Sequence, residues 1–166
     1  MTERLSTDGA SQVRQALESL PASLYTSDES KNLIIDTGAS CIVTGDKTDF
    51  VPDTLKPLER PFPMNGISGS LTATHSGQCR YEVLADDSSI VVLEATGFYA
   101  PGLNCSLFSP QAYFLQQKDK GIHGYSLSVN WSHTVLYLGQ KKVSLHIEPS
   151  VKIPILQCYK DEMKTA

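Results

Sequence analysis

The chain has 166 residues, of which 40% are hydrophobic and 19% charged, and its formal net charge at pH 7 is −4. This composition suits one soluble globular domain with a single sizeable core. The acidic balance and the absence of any Lys/Arg run disfavour direct nucleic-acid binding, and the shortness of the apolar runs disfavours a membrane span.

Residues 1–30 are polar and rich in small side chains, and we expect them to form a flexible N-terminal flank. They contain no apolar stretch of the kind found in signal peptides, so we expect an intracellular protein. A helical spacing of apolar residues nevertheless indicates a short helix or a flexible tail. These residues are Val13, Ala16, Leu17 and Leu20.

From residue 32 to residue 110, strand-like segments alternate with turn signals. The pattern predicts an all-β fold, a small barrel or sandwich. The predicted strands are 32–36, 41–45, 78–85 and 90–100. The segment 46–63 contains four prolines and is predicted to be a loop-rich connection.

One helix is predicted over about 109–120. Ser109 is a favourable N-cap, Pro110 suits the first helical position, and Gly121 lies where a C-terminal cap belongs. Three strand-like stretches follow within 121–166, and the last two flank a turn and predict a hairpin.

Asp36 stands out because it follows three apolar residues and precedes small ones, in the string LIIDTGAS. A carboxylate at the end of a buried strand is costly unless it is hydrogen-bonded or functional. The structural alternative is an Asp-initiated turn between two strands. Asp36-Thr37-Gly38 in this context is the active-site loop pattern of aspartic peptidases, in which two carboxylates about 3 Å apart share one proton.

The chain contains no second Asp-Thr-Gly or Asp-Ser-Gly. A second carboxylate must then come from a second copy, which predicts a homodimer with the site on its two-fold axis. Downstream, Gly66, Gly69 and Gly77 punctuate residues of high strand propensity, which favours a mobile hairpin flap over the site. The cysteines and histidines lack metal-ligand spacing, so we expect no metal and no cofactor.

Three segments together resemble a retroviral-type aspartic protease (retropepsin), specifically that of a copia-type LTR retrotransposon polyprotein. The segment IIDTGAS with the following IVTG resembles the active-site strand and loop of that family. The segment NGISGSLTATHSGQCRYEV is similar to its flap region, and FYAPGLNCSLFSPQAY to its later Pro-Gly-Leu segment. The resemblance covers about residues 33–117.

The resemblance implies a closed acid-protease barrel with one short C-terminal helix, as a homodimer. It makes Asp36 the catalytic acid and base, and it makes Thr37 the residue whose hydroxyl braces the two loops across the dimer axis. Gly38 and Ala39 would line the floor of the cleft. The flap tip would be Ile67, Ser68 and Gly69, which with Ala39 contact the substrate. Leu107, Phe108 and Ser109 match the segment that packs under the active-site loop.

The family further implies cleavage of a Gag-Pol polyprotein at apolar or aromatic junctions, in cytoplasmic virus-like particles. The protease domain would span 31–120, and 121–166 would form C-terminal strands, either in the dimer sheet or in a connector to the next polyprotein domain. Two other readings stay open: a non-catalytic retropepsin-like module that dimerises and binds peptides, and a cellular retropepsin-like protease of the ubiquitin-shuttle type.

Overall fold

A computed structural model of the chain describes residues 30–64, 71–148 and 153–159. These residues are mostly β-strand with one α-helix, which confirms the all-β prediction. The strands are β1 (Ser30–Ile35), β2 (Val43–Thr44), β3 (Lys56–Pro63), β4 (Thr72–Leu84), β5 (Ile90–Tyr99), β6 (Ser106–Phe108), β7 (Ser126–Val129), β8 (Thr134–Leu138), β9 (Lys141–Glu148) and β10 (Ile153–Tyr159). The helix, α1, is Pro110–Asp119, and a short 3-10 turn covers Lys47–Asp49.

The described strands form one ten-stranded sheet in the order β3-β4-β5-β2-β6-β1-β10-β9-β8-β7. In addition, β10 pairs with β4 through Cys158 opposite Val83 and Tyr159 opposite Glu82. The pairings therefore run from β4 through β5, β2, β6, β1 and β10 and return to β4.

The main core lies on the face of β1 that carries Leu33 and Ile35. Side chains from β4, β5, β6 and α1 pack there, and so do Leu136 and Val143 from β8 and β9. The residues on both sides of position 120 thus contribute to one core. A hydrogen bond from Ser144 N to Asp86 Oδ1 at 2.8 Å also ties β9 to the β4–β5 turn.

A second apolar cluster lies around Ile34. Its buried members are Ile34, Val43, Ala100, Leu103, Leu107 and Ile155. Met64 and Leu71 are partly buried against it. This second cluster therefore connects β1 and β6 with the turn end of the β3–β4 hairpin.

Helix α1 begins and ends where the sequence predicts. The Ser109 hydroxyl accepts a hydrogen bond from the N–H of Ala112 at 3.2 Å, and Pro110 occupies the first helical position. Gly121 follows the C-cap with a φ of +82°, a conformation that glycine adopts without steric cost. The predicted hairpin is also present as β8 and β9, with Gly139 in the turn at φ +64°.

The segment 46–63 is less loop-rich than expected, because its second half is strand β3. β3 lies at the edge of the sheet, where proline is tolerated since one side of the strand needs no ladder donors. β3 and β4 form a hairpin in which Pro63 lies opposite Thr72 and Met64 N donates to Leu71 O at 2.8 Å.

The flank predicted at the N-terminus lies outside the described residues, apart from Ser30. Among the residues that the structure describes, no helix is long and apolar enough to span a membrane.

Candidate active site

Asp36 follows directly after β1, at the point where that strand leaves the sheet. β1 runs parallel to β6, with Ile34 opposite Leu107 and Ile35 opposite Phe108. The N–H of Asp36 donates to the carbonyl oxygen of Phe108 at 3.0 Å, which continues this pairing by one residue. Because Ile34 and Ile35 are buried, the half-buried Asp36 stands at the end of a firmly anchored strand.

The loop after β1 folds back on the carboxylate. The N–H of Gly38 donates to Asp36 Oδ1 at 2.9 Å, and the N–H of Ala39 donates to the carbonyl oxygen of Asp36 at 3.3 Å. A Cβ atom on residue 38 would lie 3.3 Å from Asp36 Oδ1, so a larger residue would crowd the carboxylate. The loop thus orients one carboxylate oxygen and keeps the space beside it small.

Two side chains at the start of α1 brace this loop. The Ser109 hydroxyl donates to the carbonyl oxygen of Ala39 at 2.7 Å. Gln111 Nε2 donates to the carbonyl oxygen of Thr37 at 2.6 Å. The two contacts span 70 and 74 positions of sequence, so the loop is positioned by the helix as well as by β1.

Thr37 and Gly38 are exposed in the single protomer, and Ala39 is half-buried. The Gly38 N–H and the carbonyl oxygens of Thr37 and Ala39 are bonded inside the protomer, whereas the surface of Thr37 and Gly38 faces outward.

Cys105 packs against the second apolar cluster. Burial, opposed by the charge of Lys31 and aided by that of Asp36, raises the pKa of its thiol to about 11. Met64 and Leu71, at the turn end of the β3–β4 hairpin, contact the same cluster.

A buried ion pair lies at the start of β1. Lys31 Nζ contacts Asp49 Oδ1 and also donates to Asp46 Oδ2 at 3.0 Å. Asp49 Oδ2 accepts hydrogen bonds from Tyr81 OH and Ser106 Oγ, each at 2.8 Å. The Asp49 carboxylate is therefore satisfied on both oxygens, as a buried charge requires.

The same cluster affects a neighbouring phenol and borders a cleft. Burial and then the charge of Asp49 raise the pKa of Tyr81 well above its ordinary value. A cleft of about 200 Å³ lies beside Lys31, between Asp46 and Cys105. No group of three or more His, Cys, Asp or Glu side chains that could hold a metal ion occurs among residues 30–64, 71–148 and 153–159.

The structure brings together most of the residues that the sequence predicts for the site. Asp36, Thr37, Gly38 and Ala39 form the loop, which is tied to Phe108 and Ser109 as described above. The predicted flap tip, Ile67, Ser68 and Gly69, lies outside the described residues.

Sequence reasoning missed one residue that contacts the loop. Gln111 is one of several glutamines in α1, and only the helix phase places its amide within reach of the loop. Cys41, Cys79, Cys105 and Cys158 are all free thiols.

Comparison of the chain with protein-family models, with curated proteins and with solved structures finds no match. The proposed function therefore depends on the motif around Asp36 and on the contacts that hold it.

Proposed function

We propose that this protein is an aspartic endopeptidase of the retropepsin type that acts as a homodimer, each protomer supplying one Asp36. The observation that carries the proposal is the position of Asp36. It ends a buried strand, accepts a hydrogen bond from the Gly38 N–H at 2.9 Å, and sits in a loop braced by Ser109.

In the proposed mechanism, Asp36 of one protomer faces its symmetry mate, and the two carboxylates share one proton. The ionised carboxylate removes a proton from a water molecule, which attacks the carbonyl carbon of the scissile peptide. The protonated carboxyl hydrogen-bonds the carbonyl oxygen and then supplies the proton that the leaving amine needs. The Gly38 N–H keeps Asp36 oriented through both steps.

A dimer is proposed because one chain offers one such carboxylate. The Thr37 hydroxyl would bond across the two-fold axis, and this fits the exposure of Thr37 in the isolated protomer. The carbonyl oxygen of Thr37 is engaged by Gln111 within the protomer. The loop would therefore enter the interface already ordered, which lowers the entropy cost of association.

The cycle of strand pairings from β4 around to β10 supports a closed barrel of the acid-protease kind. The β3–β4 hairpin, whose turn end contacts the second apolar cluster, supports a flap that would close over an extended peptide.

We propose as substrate a retroelement Gag-Pol polyprotein, cleaved in cytoplasmic virus-like particles. This part of the proposal depends on the resemblance of the three motif segments to copia-type proteases. Genomic neighbours test it, because a Gag region upstream and an integrase downstream are expected for a retroelement and not for a ubiquitin-shuttle protease.

The central test compares the wild type with Asp36→Asn on a long unstructured polypeptide. Two amides cannot share a proton or activate water, so the variant should cut at no more than a few per cent of the wild-type rate. Asp119→Asn is the matched control, because this exposed carboxylate ends α1 far along the helix from the loop. The control should retain wild-type activity.

Two further measurements separate the alternatives. A statine-type inhibitor should block cleavage, and specific activity should fall on dilution below the dimer dissociation constant. A wild-type protein that binds the polypeptide without cutting it would favour the non-catalytic module. A fully active monomer would end the homodimer proposal.

A further inference from the structure

An exposed apolar patch lies on the outer face of β4, β5 and β10. Leu84 is 43% exposed, Ile90 65%, Val92 38% and Tyr159 44%. Leu84 lies directly opposite Ile90, while Val92 and Tyr159 both lie opposite Glu82. Residues opposite each other in antiparallel strands project to the same face, as do residues two apart along one strand. The four side chains therefore form one surface, which we call the outer apolar patch.

The residues that alternate with the patch residues along β4 and β10 show that the patch faces away from the core. Val83 is fully buried and Cys158 is 2% exposed, and these two lie opposite each other. They point into the main core. The outer apolar patch is thus the reverse side of a strand pair whose inner side is already packed.

The described chain begins at the margin of this patch. Ser30, the first residue of β1, lies opposite Tyr159, and Tyr159 lies opposite Glu82. Neighbouring strands are about 4.8 Å apart, so the chain enters the fold roughly 10 Å from β4 and roughly 15 Å from Val92.

The sequence before Ser30 contains four apolar residues that would form one apolar stripe along a helix. Val13, Ala16, Leu17 and Leu20 recur at helical spacing, as noted above. The connecting residues 21–29 span up to about 30 Å when extended, which is ample for Leu20 to reach Ile90.

Charged side chains border the patch. Arg80 lies between Glu82 and Glu94 on the same face, bonded to them at 3.1 Å and 2.8 Å, and this trio has a net negative charge. The segment 13–20 carries one cation, Arg14, and one anion, Glu18, so the case for docking rests on the apolar residues and on the place where the chain enters the fold.

From these observations we infer that residues 13–20 dock as an amphipathic helix on the outer apolar patch of their own chain. The flank is then an intramolecular partner of the protease domain. Ser30 and Asp36 stand at opposite ends of β1, so a docked flank is held at the end of the strand away from the carboxylate.

Limited digestion of the full chain with trypsin tests this docking. Arg4 and Arg14 are both cleavable sites in the flank, and only Arg14 lies within the segment 13–20. Docking should slow cleavage after Arg14 relative to Arg4 by roughly tenfold, which corresponds to about 1.4 kcal/mol. Intact-mass spectrometry of short digestions measures the ratio of the two rates.

Three variants test whether the ratio of the two cleavage rates depends on docking. Ile90→Glu in the patch and Leu17→Glu in the stripe should each remove the protection of Arg14. Val129→Glu is the control, because Val129 is 63% exposed on β7 at the far edge of the sheet. It should leave the protection unchanged, and circular dichroism should show that all three variants fold.

Equal ratios in the wild type and Ile90→Glu would overturn the proposal. Protection that falls on dilution would also overturn it, because a second copy would then supply the helix. Protection that persists at all concentrations and disappears in both patch and stripe variants would support it.

Discussion

The Ser109 hydroxyl donates a hydrogen bond to the carbonyl oxygen of Ala39 at 2.7 Å. The Ser109 hydroxyl oxygen also accepts a hydrogen bond from the Ala112 N–H at 3.2 Å and so caps α1. One buried side chain therefore joins the start of the helix to the loop that holds Asp36, and the geometry of the loop depends on the presence of the helix.

Ser109→Ala should destabilise the protein by roughly 2 kcal/mol, because it removes a helix cap and leaves the Ala39 carbonyl without this partner. Urea unfolding measures the change. Ser128→Ala, at an exposed position of β7, is the control and should be nearly neutral. Wild-type stability in the Ser109 variant would mean that water or a neighbour replaces both bonds.

Thr37→Ala should weaken the proposed dimer while leaving the protomer intact. The hydroxyl is exposed in the protomer, and the bond from Gln111 goes to the backbone oxygen of Thr37, which the change preserves. A lost cross-axis hydrogen bond costs roughly 1–3 kcal/mol per unsatisfied partner, or about 5-fold to 150-fold in dissociation constant. Sedimentation velocity over a dilution series measures this, with Thr37→Ser as the conservative control. An unchanged dissociation constant in Thr37→Ala would argue against the bracing role.

Lys31→Met should destabilise the fold strongly, because it leaves the charge of Asp49 buried without its cation. The two side chains are only 8% and 3% exposed. Breaking such a pair costs about 3–5 kcal/mol, whereas removing both charges costs less. Lys31→Met combined with Asp49→Asn should therefore be more stable than Lys31→Met alone in urea unfolding. A double variant no better than the single one would show that the pair is not coupled as its contacts indicate.

The lowered pKa of Asp46 predicts that the stability of the protein falls in acid. Burial opposes its ionisation, but hydrogen bonds from Thr48 and the charge of Lys31 outweigh burial, so its pKa lies below the ordinary 3.8. A pKa lowered by folding stabilises the protein above the unfolded-state pKa, and this stabilisation is lost as pH falls through the folded-state pKa.

Asp46→Asn should therefore be less stable than the wild type at neutral pH, and the difference should close as the pH falls below about 4. Urea unfolding at a series of pH values measures it. Asp53→Asn, an exposed aspartate in a turn, is the control and should track the wild type throughout. If the difference in stability between Asp46→Asn and the wild type stays constant down to low pH, the effect comes from the shape of the side chain and not from its charge.

Short sequence patterns predicted those secondary-structure elements whose geometry depends on residues close to them in the chain. The cap at Ser109, the proline after it and the glycine at 121 predicted α1 because capping involves residues within one or two turns. The apolar run before Asp36 predicted β1 and the loop because the strand is buried and the small residues allow the backbone to turn. The turn at Gly139 predicted the β8–β9 hairpin for a similar reason.

Other elements were set by partners distant in sequence. β3 forms despite its prolines because it lies at a sheet edge and pairs with β4 on one side. The sequence predicts three strands after α1, whereas the structure has four. The fourth, β10, contains Pro154 and gains its place by pairing with β1 and β9.

By itself the sequence determined the strand–loop motif around Asp36, the all-β character, the helix and its caps, and the lack of a second carboxylate motif in one chain. Only the tertiary structure decided that Gln111 reaches Thr37 and that Lys31 is paired with Asp49. The physical reason is that capping and burial patterns act over a few residues. Side-chain pairs between strands depend on sheet order and register, which emerge when the whole core packs.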